Sequence, residues 1–507
     1  MQHAPLTHID AESVHDMEPA GSTFFYCLVA FLLLSPLYKG GTPPLSLLLL
    51  ELGAIGFLFV IVAVHRVALA VPRLLATAIG LLLVYPLVQL VPLPGSLWRL
   101  LPGLAEYAAV VERFAASGGA GMWRAISVVP SSTEYGWLAL LPPLACLLAT
   151  LRLSTVQVAR LLLAMAIFVG AEALLGLLQI GPGSRGFLYF GNAEPGQYVA
   201  IGTFVNKNHL AAMLAMTLPV IVGLLVYSLR PGRHRRHRPM KSVASEAVAQ
   251  RSLLFAAAVM ILVCLVFTRS RAGIGSGLVG LVCSGIVLVR ARAASVGTSR
   301  TRFASYVVTA LVGISIILAL VIGIGPVLSG LDPGQMMSGA DFRWKIYAAT
   351  LRAAIEFLPF GSGLSTFGDV FPRFQGYSGV FVDHAHNDYL QLLMELGLAA
   401  PIIVALFFVA YVRRMLELLR AEGGRSFTLL QLGAGLGMLP MILHSVFDFA
   451  LHMPANAMWF ATRAGVLFHK SIGPREHVHG EVRKPTADEL FGPGSIQRPP
   501  PAPEQAP

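Results

Sequence analysis

The chain has 507 residues, of which 55% are hydrophobic and only 12% are charged. Its mean hydropathy is +0.70. This composition excludes a soluble protein, because a folded chain of this size could not bury so much apolar surface away from water. The formal net charge is +11, and the four cysteines are scattered through apolar segments, a pattern that indicates neither a disulfide framework nor a zinc site.

Twelve apolar segments have the length and composition of membrane-spanning helices, which need about 20 mostly apolar residues each. They predict an all-α, polytopic membrane protein. Basic residues concentrate in the loops that lie inside when both termini are cytoplasmic, so we expect that orientation. The segments lie near 23–38, 45–64, 73–92, 136–151, 158–180, 208–229, 252–268, 272–289, 303–325, 388–411, 427–447 and 455–470.

The regions outside the spans have distinct expectations. Residues 1–22 are predicted to be a cytoplasmic N-terminal segment, followed by a retained first helix and a membrane domain over 23–470. The tail over 471–507 is Pro-rich at its end and is expected to be disordered in the cytoplasm. The basic loops border the bilayer, so we expect them to contact anionic membrane lipids and not nucleic acid.

Two of the predicted outer loops are long, at 93–135 and 326–387, and a third, 181–207, is shorter but polar. A membrane protein that only transports has no need of such loops, so their length points to a task on the outer face. We expect the loop over 326–387 to be a large extracytoplasmic segment containing short helices.

Four basic residues are predicted on the outer side, against the positive-inside trend. Arg269 and Arg271 occupy a tight turn between two apolar helices, and Arg343 and Lys345 follow in the long loop. Each alone has a simpler interpretation, as an arginine that reaches the membrane interface or as a solvated loop charge. Together they would form a site for a strongly anionic ligand such as a diphosphate, which arginine binds with two parallel hydrogen bonds.

The stretch "VDHAHNDYLQLL" begins at residue 382 and leads into an apolar run. Three interpretations are open. Asn387 or Asp388 could cap the helix that follows. His384, His386 and Asp388 could bind a metal, although no thiolate assists. One of the two histidines could instead be a general base whose ring is oriented by a carboxylate.

A further polar stretch, "LHSVFDFALHMPAN", places His444, Asp448 and His452 four residues apart. That spacing puts them near one face of a helix. The simpler interpretation is a polar seam between helices.

Several of these stretches resemble motifs of the O-antigen ligase/polymerase superfamily of bacterial envelope proteins. The resemblance covers about 160–470 and rests on their order and spacing. The motifs are "GTFVNKNHLAAMLAM", "TRSRAGIGSGL", "DFRWKIYAATLRAAIEFLPFGSGLSTFGDVF", "HAHNDYLQLLMELGL" and "HSVFDFALHMPANA".

The resemblance implies a GT-C-like fold and a metal-independent, inverting glycosyltransferase that requires no cofactor. Such an enzyme moves a glycan from an undecaprenyl-diphosphate carrier to an acceptor hydroxyl, at the periplasmic face of the bacterial inner membrane. His386 matches the position of the catalytic histidine, with His384 as the alternative base. The implied substrate-binding residues are Arg269, Arg271, Arg343, Lys345, Asn206, Lys207, His209 and Asn387.

Two questions stay open at this level. The acceptor could be the lipid A core, a growing glycan or a protein hydroxyl, and the sequence does not decide among them. A polytopic transporter or flippase of envelope precursors is the main alternative function, since twelve spans and intramembrane charges suit one. No similarity between the two halves of the chain supports that alternative.

Overall fold

The structure is a computed structural model that describes residues 21–63, 71–115, 123–180, 188–191, 198–228, 240–293, 310, 313, 333–376, 381–421 and 426–470. The helices of these ranges, numbered in chain order, are α1 Ser22–Leu34, α2 Pro44–Ala63, α3 Arg73–Gln89, α4 Gly95–Trp98, α5 Ala105–Ala115, α6 Pro130–Leu138, α7 Leu141–Thr150, α8 Thr155–Leu178, α9 Lys207–Ser228, α10 Met240–Phe267, α11 Arg271–Ala293, α12 Pro333–Phe357, α13 Phe367–Val370, α14 Asp388–Leu396, α15 Ala399–Arg420, α16 Ser426–His444 and α17 Pro454–Phe468. Short 3₁₀ turns lie at Lys39–Gly41, Phe371–Arg373 and Ala450–His452, and β1 Pro92–Leu93 pairs antiparallel with β2 Arg124–Ala125.

Within these ranges, five helices are long and apolar enough to cross a membrane. They are α2, α8, α9, the Val248–Phe267 part of α10, and α16. Shorter apolar helices are α1, α3 and the Arg271–Val287 part of α11. The protein is therefore a mostly helical polytopic membrane protein, as predicted.

Helix α9 lies at the centre of the bundle, and 94% of its most apolar stretch is buried inside the protein. It packs against α8, α10, α11 and α16. The contact with α16 is close because Gly223 and Gly433 face each other there, so that a Cβ added at Gly223 would lie 3.0 Å from the Gly433 Cα. Small residues at such crossings let two membrane helices approach closely.

The predicted outer loops pack on one another in a separate apolar cluster. Trp98 and Leu104 from the 93–135 loop join Ile346 and Phe357 of α12 in this cluster. Arg373 adds an ion pair of 2.8 Å to Glu106 of α5. The two long loops thus form one layer at the same end of the helical bundle.

Three predicted segments differ from the structure. The span predicted over 388–411 is two helices, α14 and α15, separated at Gly397. The segment over 136–151 is divided between α6 and α7. The long loop, predicted to contain short helices, contains the 25-residue helix α12.

Other predictions lie wholly or mainly outside the described residues. They are the ninth span over 303–325, nearly all of the N-terminal segment over 1–22, and the tail over 471–507.

Candidate active site

Two polar loops face each other at the end of the bundle that carries the loop layer. We name residues 382–388 the histidine loop and residues 445–453 the aspartate loop. They are joined by two reciprocal His–Asp pairs: His386 Nδ1 lies 3.2 Å from Asp448 Oδ1, and His452 Nδ1 lies 2.6 Å from Asp388 Oδ1. Each loop therefore supplies one histidine and one carboxylate, which fixes the two loops against each other.

His386 has a backbone conformation that is unusual for a residue with a side chain. Its φ is +51°, in the left-handed region, where a non-glycine residue carries strain of about 1–3 kcal/mol. The neighbours hold it there: the Tyr347 hydroxyl donates to the His386 carbonyl at 2.8 Å. Asn387 caps α14 by accepting the backbone N–H groups of Tyr389 and Leu390. The predicted helix cap is confirmed at Asn387.

The two histidines of the motif have different surroundings. The His386 side chain is 26% exposed, and with Nδ1 directed to Asp448 its Nε2 makes no hydrogen bond to the described residues and is not buried. The His384 ring stacks on Phe449, with centroids 4.1 Å apart. Burial, together with the nearby His452, lowers the pKa of His384 to about 3, so its ring is neutral at physiological pH.

Asp448 is ionised although its side chain is only 1% exposed. Burial acts to raise the pKa of this carboxyl, but its contacts with His386 and His444 outweigh burial and hold the pKa well below its usual range. The Phe449 backbone N–H also donates to Asp448 Oδ1 at 3.0 Å. The His386 ring therefore has an anionic partner on the side away from its open nitrogen.

A buried network of hydrogen bonds supports the two His–Asp pairs. Gln391 of α14 lies 3.0 Å from His452 Nε2, donates to the Glu395 carboxylate at 3.0 Å, and accepts the Ala385 backbone N–H at 3.1 Å. Glu395 in turn accepts the backbone N–H of Ser365 at 2.8 Å. The Gly-rich loop over 361–368 is thus connected to the histidine loop through α14.

A cavity of about 910 Å³ opens beside the histidine loop. Arg343 and Tyr347, one turn apart on α12, both line it, and Arg271 and Asn387 contribute from two other elements. The remaining lining is apolar: Ala272, Trp344, Ala348, Leu351, Leu390, Val446 and Phe447. A space with two guanidinium groups and an apolar wall suits an amphiphilic anion.

Basic side chains from four elements lie close enough to interact at this place. Lys207 at the start of α9 is within electrostatic range of Arg269, Arg271 and Arg343. Arg269 is exposed and has a φ of +52°. A bound anion would stabilise such a concentration of cations, since guanidinium groups bind phosphate with charge-assisted hydrogen bonds.

The turn that carries Arg269 is fixed by its neighbours. The Ser270 backbone N–H donates to Thr268 Oγ1 at 3.2 Å, and the Ser270 hydroxyl accepts the Gly273 N–H at 3.2 Å. These two hydrogen bonds connect the end of α10 to the start of α11 and fix the turn in which the Arg269 side chain is exposed.

The other predicted substrate-binding residues take different places. Asn206 accepts the Asn208 backbone N–H at the start of α9. His209 is buried beneath the two loops, with its ring 4.9 Å from that of Phe449. Lys345 is exposed and is not among the residues that line the cavity beside Arg343, because it lies on another face of α12.

The residues considered for a metal site have separate partners. His386 pairs with Asp448, Asp388 pairs with His452, and the His384 ring lies 3.4 Å from the Gln391 side-chain oxygen. Within the part of the chain that the structure describes, no group of three or more His, Cys, Asp or Glu residues is arranged to hold a metal ion.

Sequence reasoning missed several members of this site. The spacing of Asp448 with His444 and His452 predicts a polar seam along a helix. In the structure α16 ends at His444, so Asp448 and His452 lie beyond the helix. Tyr347 and Glu395 lie within the quoted motifs, but neither carried a signal of its own beyond being a polar residue.

Residues 256–405 match the family model described as O-antigen ligase. The match runs from within α10 into α15, so it contains Arg269, Arg271, Arg343 and His386. It supports the resemblance to the O-antigen ligase/polymerase superfamily. A search of curated proteins gave no match to the chain.

Proposed function

We propose that the protein is an inverting glycosyltransferase that moves a glycan from an undecaprenyl-diphosphate carrier to an acceptor hydroxyl. The observation that carries this proposal is the cavity beside the histidine loop. Arg271 and Arg343 line it, and Lys207 lies within electrostatic range of both. His386, next in the chain to the lining residue Asn387, has Asp448 on one side of its ring and an open Nε2 on the other. An enzyme of this kind needs an anion site and a base side by side.

In the proposed reaction, the cations of the cavity hold the diphosphate of the donor. The acceptor oxygen attacks the anomeric carbon as the bond from that carbon to the diphosphate oxygen breaks, and the electron pair leaves with the diphosphate. Arg271, Arg343 and Lys207 stabilise the charge that develops on the leaving group. Attack opposite the leaving group inverts the anomeric centre.

His386 Nε2 takes the proton of the acceptor hydroxyl as the new bond forms. Asp448 keeps Nδ1 protonated, so Nε2 carries the lone pair, and it stabilises the imidazolium that results. A positioned base of this kind typically contributes about 10²–10⁴-fold to the rate. The family match supports a ligase- or polymerase-type reaction, with the lipid A core, a growing glycan or a protein hydroxyl as the acceptor.

We place the reaction at the periplasmic face of the inner membrane. The loop layer, the cavity and both polar loops lie at one end of the bundle. The sequence predicts that the strongly basic loops lie on the opposite, cytoplasmic side of the membrane. The apolar lining of the cavity would face the lipid part of the donor.

The test is glycan transfer in membranes of a host that lacks its own transferase, measured with EDTA present. We expect wild-type activity to resist EDTA and Arg343→Ala to lose at least about tenfold, because the charge it neutralises grows in the transition state. Arg352→Ala is the matched control, since Arg352 is an exposed arginine of the same helix that does not line the cavity. Equal losses in the two variants, or wild-type activity abolished by EDTA, would contradict the proposal.

A further inference from the structure

Helix α12 carries two different stripes of side chains. Ile346, Ala349 and Ala353 are buried in the apolar cluster of the loop layer. The residues of α12 that line the cavity lie on another stripe, at positions 343, 344, 347, 348 and 351. Their spacing of three and four residues repeats along one face of a helix. Helix α12 therefore has the core of the loop layer on one face and the cavity on another.

Trp344 is the most exposed large hydrophobic residue of the cavity lining. It is 68% exposed, more than Phe447 or Leu351. An indole ring has a wide apolar face with negative potential and a polar N–H at its edge. An exposed ring of this kind suits a ligand that has C–H groups on one face and hydroxyl groups around its rim.

The position of Trp344 adjoins both the proposed diphosphate site and the proposed base. Arg343, the preceding residue, lines the same cavity. The Trp344 ring meets the Tyr347 ring edge to face, with centroids 5.6 Å apart and an interplanar angle of 81°. The Tyr347 hydroxyl in turn donates to the His386 carbonyl at 2.8 Å. The indole is thus connected to the backbone of His386 through a single side chain.

We propose that Trp344 is the platform on which the first sugar of the donor stacks. This inference rests on the proposed function. The sugar is bonded through its anomeric carbon to the diphosphate that Arg343 holds, and the acceptor oxygen that His386 activates must reach the same carbon. The sugar ring therefore lies between Arg343 and His386, beside the indole. The C–H groups of a pyranose pack against the face of an aromatic ring and leave its hydroxyls free for polar partners.

The prenyl chain of the donor is the other ligand group that could cover this ring. That chain leaves the diphosphate on the side opposite the sugar, whereas Trp344 contacts the side chain that reaches the histidine loop. The aliphatic part of the lining, which includes Ala272, Leu351 and Val446, is left for the chain. The two ligand groups thus take different parts of one cavity.

Binding in detergent tests this assignment without requiring turnover. The probes are undecaprenyl diphosphate and the same lipid carrying one hexopyranose, and dissociation constants are measured for wild type, Trp344→Leu and Trp344→Phe. We expect Trp344→Leu to weaken binding of the glycosylated lipid about fivefold to tenfold and to leave the sugar-free lipid within about twofold, because leucine keeps an apolar contact but has no aromatic face. Trp344→Phe should recover most of the loss.

Trp123→Leu is the matched control, since Trp123 is a tryptophan of similar exposure, 66%, that does not line the cavity. This variant should bind both lipids as wild type does. Equal weakening of the two lipids in Trp344→Leu would mean that Trp344 contacts the lipid diphosphate and not the sugar. Unchanged binding of both lipids would mean that it contacts neither. Either result overturns the inference.

The transfer assay separates this inference from the proposed function. If wild-type protein binds the glycosylated lipid with the expected dependence on Trp344 but transfers no sugar from it, the proposed function fails and the sugar platform is supported. If wild type is active and Arg343→Ala is impaired, but Trp344→Leu binds both lipids like wild type, only the role of Trp344 fails.

Discussion

At the scale of single residues, strained backbone is found both among the clustered cations and in the histidine loop of the candidate site. Arg269 and His386 have positive φ values of 52° and 51°. Arg269 lies within electrostatic range of Lys207, and the His386 ring is directed to Asp448. Strain of about 1–3 kcal/mol per residue persists only when the surrounding contacts impose it, and it is concentrated at functional sites.

Replacing Arg269 by glycine should therefore separate stability from activity. Glycine adopts a positive φ without strain, so we expect Arg269→Gly to raise the free energy of unfolding by about 1 kcal/mol while transfer falls with the lost charge. Thermal unfolding in detergent and glycan transfer check the two effects. Leu188→Gly is the control, because Leu188 has a φ of +47° away from the cavity; it should stabilise without loss of transfer. Loss of stability in Arg269→Gly would show that its conformation is not strained.

His384 should make the protein sensitive to acid. Its pKa is about 3 in the folded state against an ordinary value of 6.5, because the ring is buried. Between these values the unfolded chain binds more protons, so stability is complete above about pH 6.5 and declines as the pH falls toward 3. Each pH unit in this window removes up to about 1.4 kcal/mol. His384→Gln should flatten the dependence of melting temperature on pH from 6.5 to 4.5, and an unchanged slope would contradict this.

At the scale of elements, the break between α14 and α15 shows what periodicity cannot reveal. The apolar run over 388–411 reads as one helix, yet Gly397 has a φ of +56° and its backbone N–H still bonds to the Leu393 carbonyl. A Cβ at Gly397 would collide with the Pro359 carbonyl oxygen and the Gly361 nitrogen. The break is imposed by a distant turn that packs against the helix end, and such a contact leaves no pattern in the local sequence.

Gly397→Ala should consequently be far more damaging than an ordinary glycine-to-alanine change. We expect a loss of about 2 kcal/mol or more in stability, since the added methyl group meets backbone atoms and the positive φ becomes strained. Gly275→Ala in α11 is the matched control, because a Cβ there has nothing within 4 Å. Thermal unfolding of both variants checks the prediction, and equal melting temperatures would refute it.

At the scale of the whole molecule, the sequence located the regions that form the candidate site more accurately than it predicted the contacts between those regions. Hydropathy located most of the described helices of the bundle. The expectation of charges on the outer side, against the positive-inside trend, singled out Arg269, Arg271 and Arg343, which the structure brings near Lys207. The partner of His386 was not found, because Asp448 is 62 residues away along the chain. Pairing across that distance depends on how α14 and the aspartate loop pack, which no single-sequence periodicity encodes.

The choice between the two histidines also depends on packing that the local sequence does not encode. Spacing could not separate His384 from His386. Their surroundings in the structure support the proposal of His386 as the base, since His384 is stacked on Phe449 and held neutral, while His386 has a carboxylate on one nitrogen and an open second nitrogen.

The most direct test of the account compares glycan transfer by His386→Ala and His384→Ala, with each rate expressed per folded molecule. Removing the base should reduce the rate by about 10²–10⁴-fold in His386→Ala. His384→Ala should cost far less per folded molecule and should act mainly on protein yield, because its ring packs on Phe449. Full activity in His386→Ala, or a larger rate loss in His384→Ala, would contradict the assignment of the base and with it the central claim.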